Sequence, residues 1–206
     1  MVYGKGIYER GKHVAKIGDK HTKEYLVWHS MIARCYNPNY HGAKNYSNVE
    51  VCDEWLNFQN FAEWFDDNYY TIDNDLVLLE KDFKSYAYGL DKNYSPNNCI
   101  FIPQCFNKII VFQHEVTRDL PVGVKISTNN IYPYTIETLK EYNDKYLLFK
   151  TKEEAYEAYL ERVYSHIDIK LSEYGNKIPN GVIKVIEDFI KNDSLREIHK
   201  LQKVIV

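Results

Sequence analysis

Residues 76–110, LVLLEKDFKSYAYGLDKNYSPNNCIFIPQCFNKII, hold the clearest structural pattern in the chain. The stretch opens with a short apolar run, continues through a segment rich in Gly, Asp and Asn, and returns to an apolar run at residues 99–102. Short apolar runs bounded by Asn, Pro and Gly are typical of β-strands. A helical segment follows from about Pro103. The stretch therefore predicts a strand, a loop, a second strand and a short helix.

The composition of the 206-residue chain is that of an ordinary globular protein, with 27% charged and 45% hydrophobic residues. No apolar run approaches the roughly 18 residues that a membrane span needs. The first residues, MVYGKGIYERGK, lack the apolar core of a signal peptide. We therefore expect a cytoplasmic protein with no membrane partner.

The four cysteines, Cys35, Cys52, Cys99 and Cys105, lack the paired short spacing of a zinc ribbon. Because cytosolic chains seldom form disulfides, free and mostly buried thiols are the favoured interpretation. A structural zinc site that includes His41 is the weaker alternative.

Charge is uneven along the chain, whose formal net charge is −3. Residues 1–50 hold eight Lys or Arg against four Asp or Glu, while residues 51–100 hold three against ten. DNA-binding domains are usually basic, so DNA affinity would have to come from local patches. Residues 1–24 form such a patch, a basic arm or irregular hairpin; a solvated flexible terminus is the alternative.

Two amphipathic helices are predicted before the opening stretch, over residues 25–36 and 53–67. Their apolar residues recur at helical spacing and indicate core positions: Trp28, Met31, Ile32 and Cys35 in the first, and Trp55, Phe58, Ala62 and Phe65 in the second. Four acidic residues lie at the end of the second helix and in the next loop, at Asp66, Asp67, Asp73 and Asp75. A solvated acidic loop is favoured there over a metal-binding cluster.

A new pattern begins after a linker at residues 112–120. Three short strands are predicted at residues 122–127, 132–138 and 146–149, and the pair Thr151 and Glu154 predicts a capping box that starts a helix. Residues 176–206 predict further helices and end in Val204, Ile205 and Val206, which would pack on the body or form a homodimer contact.

The predicted fold class is therefore α+β, in four parts. The parts are a basic arm at residues 1–24, a helical domain with a ββα finger at 25–111, three antiparallel strands packed on a helix at 121–175, and a helical extension at 176–206.

Several sequence blocks together resemble a family of small bacteriophage proteins identified as HNH endonucleases or DNA-binding proteins. The resemblance covers roughly residues 24–174, and a phage protein would act in the host-cell cytoplasm. The blocks are VCDEWLNFQNFAEWF at 51–65, LEKD at 79–82, YSPNNC at 94–99, FIPQ at 101–104, LPVGV at 120–124 and FKTKEEA at 149–155.

The resemblance implies that residues 76–110 form the ββα metal finger of HNH nucleases. Such enzymes activate water with a strand-end His, while one divalent metal stabilises the leaving 3′ oxygen. This chain lacks those histidines; the matching positions, and hence the catalytic candidates, are Lys81, Asp82, Asn98 and Asn107. Asp82 and Asn107 are the implied ligands of Mg²⁺ or another divalent metal, and Asn98 would orient the base. A lysine can act as a base only if its pKa is strongly lowered.

The resemblance also implies that the three-strand unit is similar to the DNA-binding domain of plant ethylene-response factors. Such sheets lie in the major groove of double-stranded DNA and reach base edges and phosphates. The matching candidates in this chain are Lys125, Ser127, Tyr132, Tyr134, Thr138 and Lys140.

Three functions stay open at this point. The first two are an HNH-type nicking or homing endonuclease and a non-catalytic protein that binds double-stranded DNA. The third is a phage factor that binds a host protein, such as an inhibitor of a defence enzyme. The 19 tyrosines suit an interface, although an AT-rich genome would also favour their codons. We expect a DNA-binding protein of the HNH-like family.

Overall fold

The fold is α+β, as the sequence predicts, and its sheets are small and antiparallel. The computed structural model describes residues 1–73, 75–111, 120–137 and 147–203. The chain divides into two units, Met1–Gln104 and Cys105–Val206. Within the described ranges, no helix has the length and apolar character to cross a membrane.

The first unit combines two β-hairpins with helices. Its elements in chain order are β1 (Lys16–Ile17), β2 (Lys20–His21), α1 (Lys23–Tyr36), α2 (Asp53–Leu56), α3 (Phe58–Asn68), β3 (Val77–Glu80), α4 (Asp82–Tyr88) and β4 (Ile100–Pro103).

Large aromatic side chains form the core of this unit, where α1 packs on α3. Trp28, Trp55, Phe58 and Phe61 are fully buried, and the indole Nε1 of Trp28 donates a hydrogen bond to the Trp55 carbonyl at 2.8 Å. Burying each such side chain stabilises the fold by about 2–3 kcal/mol. The helical spacing of these residues in the sequence correctly indicated the core.

The helix predicted at residues 53–67 is broken at Asn57, where α2 ends and α3 begins. Asn57 has an extended backbone (φ −84°, ψ 124°), and its side chain accepts a hydrogen bond from the Gln59 N–H. The break also frees backbone groups that pair with Ile7: its N–H donates to the Leu56 carbonyl, and its carbonyl accepts from the Phe58 N–H. Tertiary pairing with the N-terminal segment therefore interrupts a helix that local periodicity made continuous.

Strands β3 and β4 pair antiparallel, from Val77 opposite Pro103 to Glu80 opposite Ile100. The predicted loop between them contains the additional helix α4, which ends at Gly89 in the left-handed conformation (φ 67°). The side chain of Phe83 in its first turn is fully buried. Burial of this ring holds a short helix in a segment whose Gly and Asn residues indicated a loop.

The second unit is built from helices and the three-stranded sheet. Its elements are α5 (Gln104–Val111), which starts at the unit boundary, β5 (Val124–Ile126), β6 (Tyr134–Ile136), β7 (Leu148–Phe149), α6 (Lys152–Tyr174), α7 (Asn180–Lys191) and α8 (Ser194–Lys203). The strands are antiparallel in the order β5–β6–β7. Residues 204–206, which were expected to pack on the body or form a dimer contact, lie outside the described residues.

The sheet of the second unit packs on α6, as predicted. Val124 and Ile136 are buried on the helix side. Gly123 is required at the start of β5, because its φ is +73° and a Cβ there would lie 2.3 Å from the Tyr159 ring. The predicted capping box is confirmed: the Thr151 hydroxyl accepts from the Glu154 N–H at 3.1 Å, and the Glu154 carboxylate accepts from the Thr151 N–H.

Candidate functional site

Three consecutive charged residues meet where β3 turns into α4. Glu80 and Lys81 are buried, whereas the Asp82 side chain is 27% exposed. The Lys81 ammonium donates a hydrogen bond to Asp82 Oδ1 at 2.8 Å. The end of the strand therefore places a buried cation and a partly exposed carboxylate side by side.

Glu80 is a part of this site that the sequence pattern did not single out. Its Oε2 accepts a hydrogen bond from the Phe83 N–H at 2.8 Å and so satisfies a free donor of the first turn of α4. Burial, together with the neighbouring Asp82, raises the pKa of Glu80 to about 8. The carboxyl is therefore mostly protonated at neutral pH. The available sequence signal was an acidic residue at the end of an apolar strand, directly before a helix start.

Lys81 carries a fixed positive charge in this arrangement. Burial alone would lower its pKa, but the carboxylate of Asp82, with Glu80 and Tyr46, raises the pKa above the ordinary value. Its ammonium also lies 5.9 Å from the ring centroids of Tyr46 and Tyr94. A raised pKa leaves Lys81 without a free lone pair at neutral pH. The structure thus favours Lys81 as a charge that stabilises an anion rather than as a general base.

A second cation reaches the same place from α1. Arg34 Nη1 donates to the Tyr94 hydroxyl at 3.3 Å, and the buried Arg34 Nε has no hydrogen-bond partner among the described residues. Burial raises the pKa of the Tyr94 phenol, so it stays neutral. Arg34, Glu80, Lys81, Asp82 and Tyr94 are called the Lys81 cluster below.

The other two predicted catalytic residues belong to other parts of the chain. Asn98 lies in the loop before β4, where its Nδ2 donates to the Asp91 carbonyl at 2.8 Å and ties the loop together. Asn107 lies on α5, in the second unit. Cys99 is buried, and burial raises the pKa of its thiol, which makes it unreactive. None of the four cysteines, which all lie within the described ranges, forms a disulfide.

A divalent metal would find one partly exposed carboxylate in the Lys81 cluster. No group of three or more His, Cys, Asp or Glu side chains that could hold a metal ion occurs within the described ranges. Mg²⁺, however, usually keeps several waters and takes only one or two protein carboxylates together with substrate phosphates. Asp82, a single partly exposed carboxylate, fits that requirement.

The three-stranded sheet separates the predicted DNA-binding residues. Lys125 pairs with Thr135 across β5 and β6 and lies on the face away from α6, while Tyr134 lies on the same face as the buried Ile136. Lys125 Nζ also forms an ion pair with Glu137 at 2.9 Å.

The remaining candidates of the sheet lie at its edge or beyond the described residues. Ser127 follows β5, and its hydroxyl accepts from the Asn129 N–H at 3.1 Å in the turn. Tyr132 precedes β6 and is 38% exposed, with Lys150 Nζ 5.9 Å from its ring centroid. Thr138 and Lys140 lie outside the described residues. The outer face therefore offers Lys125, Ser127 and the edge around Tyr132 for contacts.

Comparison of the chain with family models, curated proteins and solved structures finds no match. The functional expectations that rest on the resemblance to HNH-like phage proteins therefore stay predictions. The structure itself contributes the Lys81 cluster and the outer face of the sheet.

Proposed function

We propose that this chain is a phage-type protein of the HNH endonuclease-like family that binds double-stranded DNA and nicks it in a metal-dependent reaction. The observation that carries the proposal is the Lys81 cluster. It holds Lys81 next to the Asp82 carboxylate at the end of β3, and Arg34 is bonded to Tyr94, whose ring centroid lies 5.9 Å from the Lys81 ammonium. Buried ionisable groups with perturbed pKa values, such as Glu80 here, are typical of functional sites.

Each residue of the cluster has a role in this proposal. Lys81 and Arg34 would neutralise a phosphodiester oxygen, because charge-assisted hydrogen bonds to phosphate are strong. Asp82 would hold Mg²⁺ or another divalent ion together with water and a substrate phosphate, and the ion would stabilise the charge on the leaving 3′ oxygen. Asn98 would keep the adjoining loop in place through its bond to Asp91.

The outer face of the three-stranded sheet would supply further contacts to the duplex. Lys125, released from Glu137, and Ser127 would reach phosphates, and Tyr132 would contact the groove edge. The sheet offers limited positive charge, since Lys125 is paired in the free protein. DNA affinity should therefore be modest and strongly dependent on salt.

A plasmid-nicking assay tests the proposal. Supercoiled plasmid is incubated with Mg²⁺ or Mn²⁺ and the wild type, Asp82→Asn, or the control Asp67→Asn, which removes an exposed charge at the end of α3. We expect nicking that EDTA abolishes, that falls about tenfold or more in Asp82→Asn, and that is unchanged in the control.

A duplex gel shift at 20 and 200 mM salt accompanies the nicking assay. A salt-sensitive shift without nicking would remove the hydrolytic part of the proposal and leave the DNA-binding part. Neither nicking nor a shift would overturn both.

A protein-binding phage factor is the second candidate, because large apolar side chains are exposed around the β5–β6 turn. Ile126 is 74% and Ile131 72% exposed, and Tyr132 lies beside them in the chain. Exposed apolar groups at one turn suit a protein partner better than a phosphate backbone. Loss of the DNA shift at all salt concentrations would favour this candidate.

A further inference from the structure

A groove of about 580 Å³ opens beside the start of α1, and its lining includes no residue of the Lys81 cluster. Its wall is formed by the N-terminal loop and the β1–β2 hairpin. The side chains that give it chemical character are Tyr8, Arg10, His13, Lys16, His21 and Tyr25. Within the part of the chain that the structure describes, none of the residues lining the groove is acidic.

A single side chain, Gln59 of α3, fixes the loop that forms one wall. Its Oε1 accepts from the His13 N–H at 3.0 Å, and its Nε2 donates to the carbonyls of Glu9 and His13 at 3.0 and 2.9 Å. Gly11 is pressed against the same amide, since a Cβ there would lie 2.4 Å from Oε1. The groove is therefore preorganised, which lowers the entropic cost of binding.

The aromatic side of the groove is a stacked arrangement. The rings of His21 and Tyr25 are stacked, with centroids 4.9 Å apart and an interplanar angle of 15°. Tyr8 meets Tyr25 edge-on at 5.9 Å and is 44% exposed. Aromatic side chains of this kind are surfaces on which a planar base can stack.

The polar side of the groove is cationic. Arg10 and Lys16 are exposed, and the His13 side chain is only 9% exposed, with Nδ1 3.7 Å from Asp66 Oδ2. His13 Nε2 is buried and has no hydrogen-bond partner among the described residues. Because this nitrogen is closed off from solvent, Arg10 and Lys16 are the cationic groups on this side that a ligand can reach.

We propose that this groove binds one unpaired nucleotide, with its base against Tyr8 and Tyr25 and its phosphate at Arg10 and Lys16. The volume lies within the 300–1,000 Å³ range of small-molecule sites. A concave groove of this size cannot admit a DNA duplex, whose major groove alone is about 12 Å wide. The nucleotide is either free or the unpaired end of a strand, and the inference does not depend on duplex binding.

Binding measurements on the full chain test the inference. The probes are dAMP, inorganic phosphate, a five-nucleotide single strand and a blunt duplex, with calorimetry for the first two and fluorescence anisotropy for the others. Arg10→Gln and Tyr8→Leu should each weaken binding of dAMP or the single strand about 5- to 100-fold. Lys44→Gln, a matched charge removal outside the groove, should leave it within about twofold. The side-chain ¹⁵N signal of His13 should shift on binding in the wild type.

The outcomes separate the possible sources and the two proposals. Tighter binding of the single strand than of dAMP identifies a strand end as the ligand, and the reverse identifies a free nucleotide. Inorganic phosphate that binds as well as dAMP, or variants that bind like the wild type, would overturn the inference. If the wild type shifts the duplex but binds neither dAMP nor the single strand, the inference about the groove is wrong and the proposed function is unaffected. If the wild type binds the nucleotide but does not shift the duplex, the proposed function is wrong and the inference about the groove is unaffected.

Discussion

The Lys81 cluster and the N-terminal groove both concentrate positive charge in the first unit, but they compensate it differently. Lys81 is buried and bonded to Asp82, and Arg34 is bonded to Tyr94. In the groove, Arg10 and Lys16 are exposed, and no carboxylate is present among its described lining residues. Removing one partner of a charge paired in the interior lowers stability, whatever else that charge does, whereas an exposed charge attracts ligands without contributing much to stability.

Removal of a positive charge should therefore have different consequences in the two places. Charge removal in the Lys81 cluster should change stability, and charge removal in the groove should change binding. All three tryptophans, Trp28, Trp55 and Trp64, belong to the first unit. Tryptophan fluorescence therefore reports the unfolding of the unit that contains both places.

The largest loss of stability is expected for Lys81→Met, which keeps the side-chain length and removes the charge. Asp82 would lose its partner, and breaking a buried ion pair from one side costs about 3 kcal/mol or more. We expect the free energy of unfolding in urea to fall by about 2–4 kcal/mol. Lys12→Met, which removes a charge paired at 3.9 Å on the surface, should change it by less than about 0.5 kcal/mol. Equal effects of the two variants would show that the Lys81–Asp82 pair contributes no more to stability than an ion pair on the surface.

A pH titration of stability comes next. The pKa of Glu80 is raised from 4.5 to about 8 in the folded state, so between these values the folded chain holds a proton that the unfolded chain has released. The free energy of unfolding must therefore fall as pH rises through this window. Glu80→Gln keeps an acceptor for the Phe83 N–H but cannot ionise.

The Glu80→Gln variant should be close to the wild type near pH 5 and exceed it by about 4 kcal/mol near pH 8.5. Fluorescence-monitored urea unfolding at several pH values measures the difference. The exposed Glu63→Gln is the control and should follow the wild type at every pH. A Glu80→Gln curve parallel to the wild type would contradict the buried, protonated state.

A smaller loss of stability is expected for Gln59→Ala, because the Gln59 side chain joins α3 to the loop that forms the groove wall. Three hydrogen bonds to the loop would disappear, and stability should fall by about 1–2 kcal/mol. Nucleotide affinity should fall as well, although no lining residue of the groove has changed. Glu63→Ala on the same helix should alter neither quantity. If Gln59→Ala lowers stability but keeps full nucleotide affinity, the loop that Gln59 holds does not determine binding in the groove.

The smallest stability effect is expected for Lys16→Gln. Because Lys16 is exposed, the free energy of unfolding should stay within about 0.5 kcal/mol of the wild type. Binding of a single-stranded oligonucleotide should weaken, and its dependence on salt should become shallower, because one phosphate contact is lost. Anisotropy titrations at 50 and 200 mM salt measure both. An unchanged salt slope would place the phosphate elsewhere.

Local patterns in the sequence were enough to predict the regular elements. The aromatic stripe of α3, the pairing of β3 with β4 and the Thr151–Glu154 capping box all rest on short-range rules, and all are present. The break at Asn57 and helix α4 were missed. Both depend on distant partners, Ile7 in the first case and the core around Phe83 in the second.

The candidate site was predictable only in part, for the same reason. Position along the chain indicated Lys81 and Asp82, because they follow a strand. Arg34 and Tyr94 come from α1 and from the loop before β4, and only the tertiary fold brings them to Lys81. The groove depends likewise on contacts between residues some 46 apart, such as Gln59 with His13.

The helix α4 between β3 and β4 also has a consequence for the order of folding. Glu80 and Ile100 are paired, so pairing of β3 with β4 requires that residues 81–99 close as a loop. Closure entropy grows with the length of flexible chain, and a helix with a tied Asn98 loop shortens the flexible part. Because burial of Phe83 in the core holds α4, we expect α4 and the β3–β4 ladder to form together, so that mutations at Phe83 slow folding as well as lowering stability.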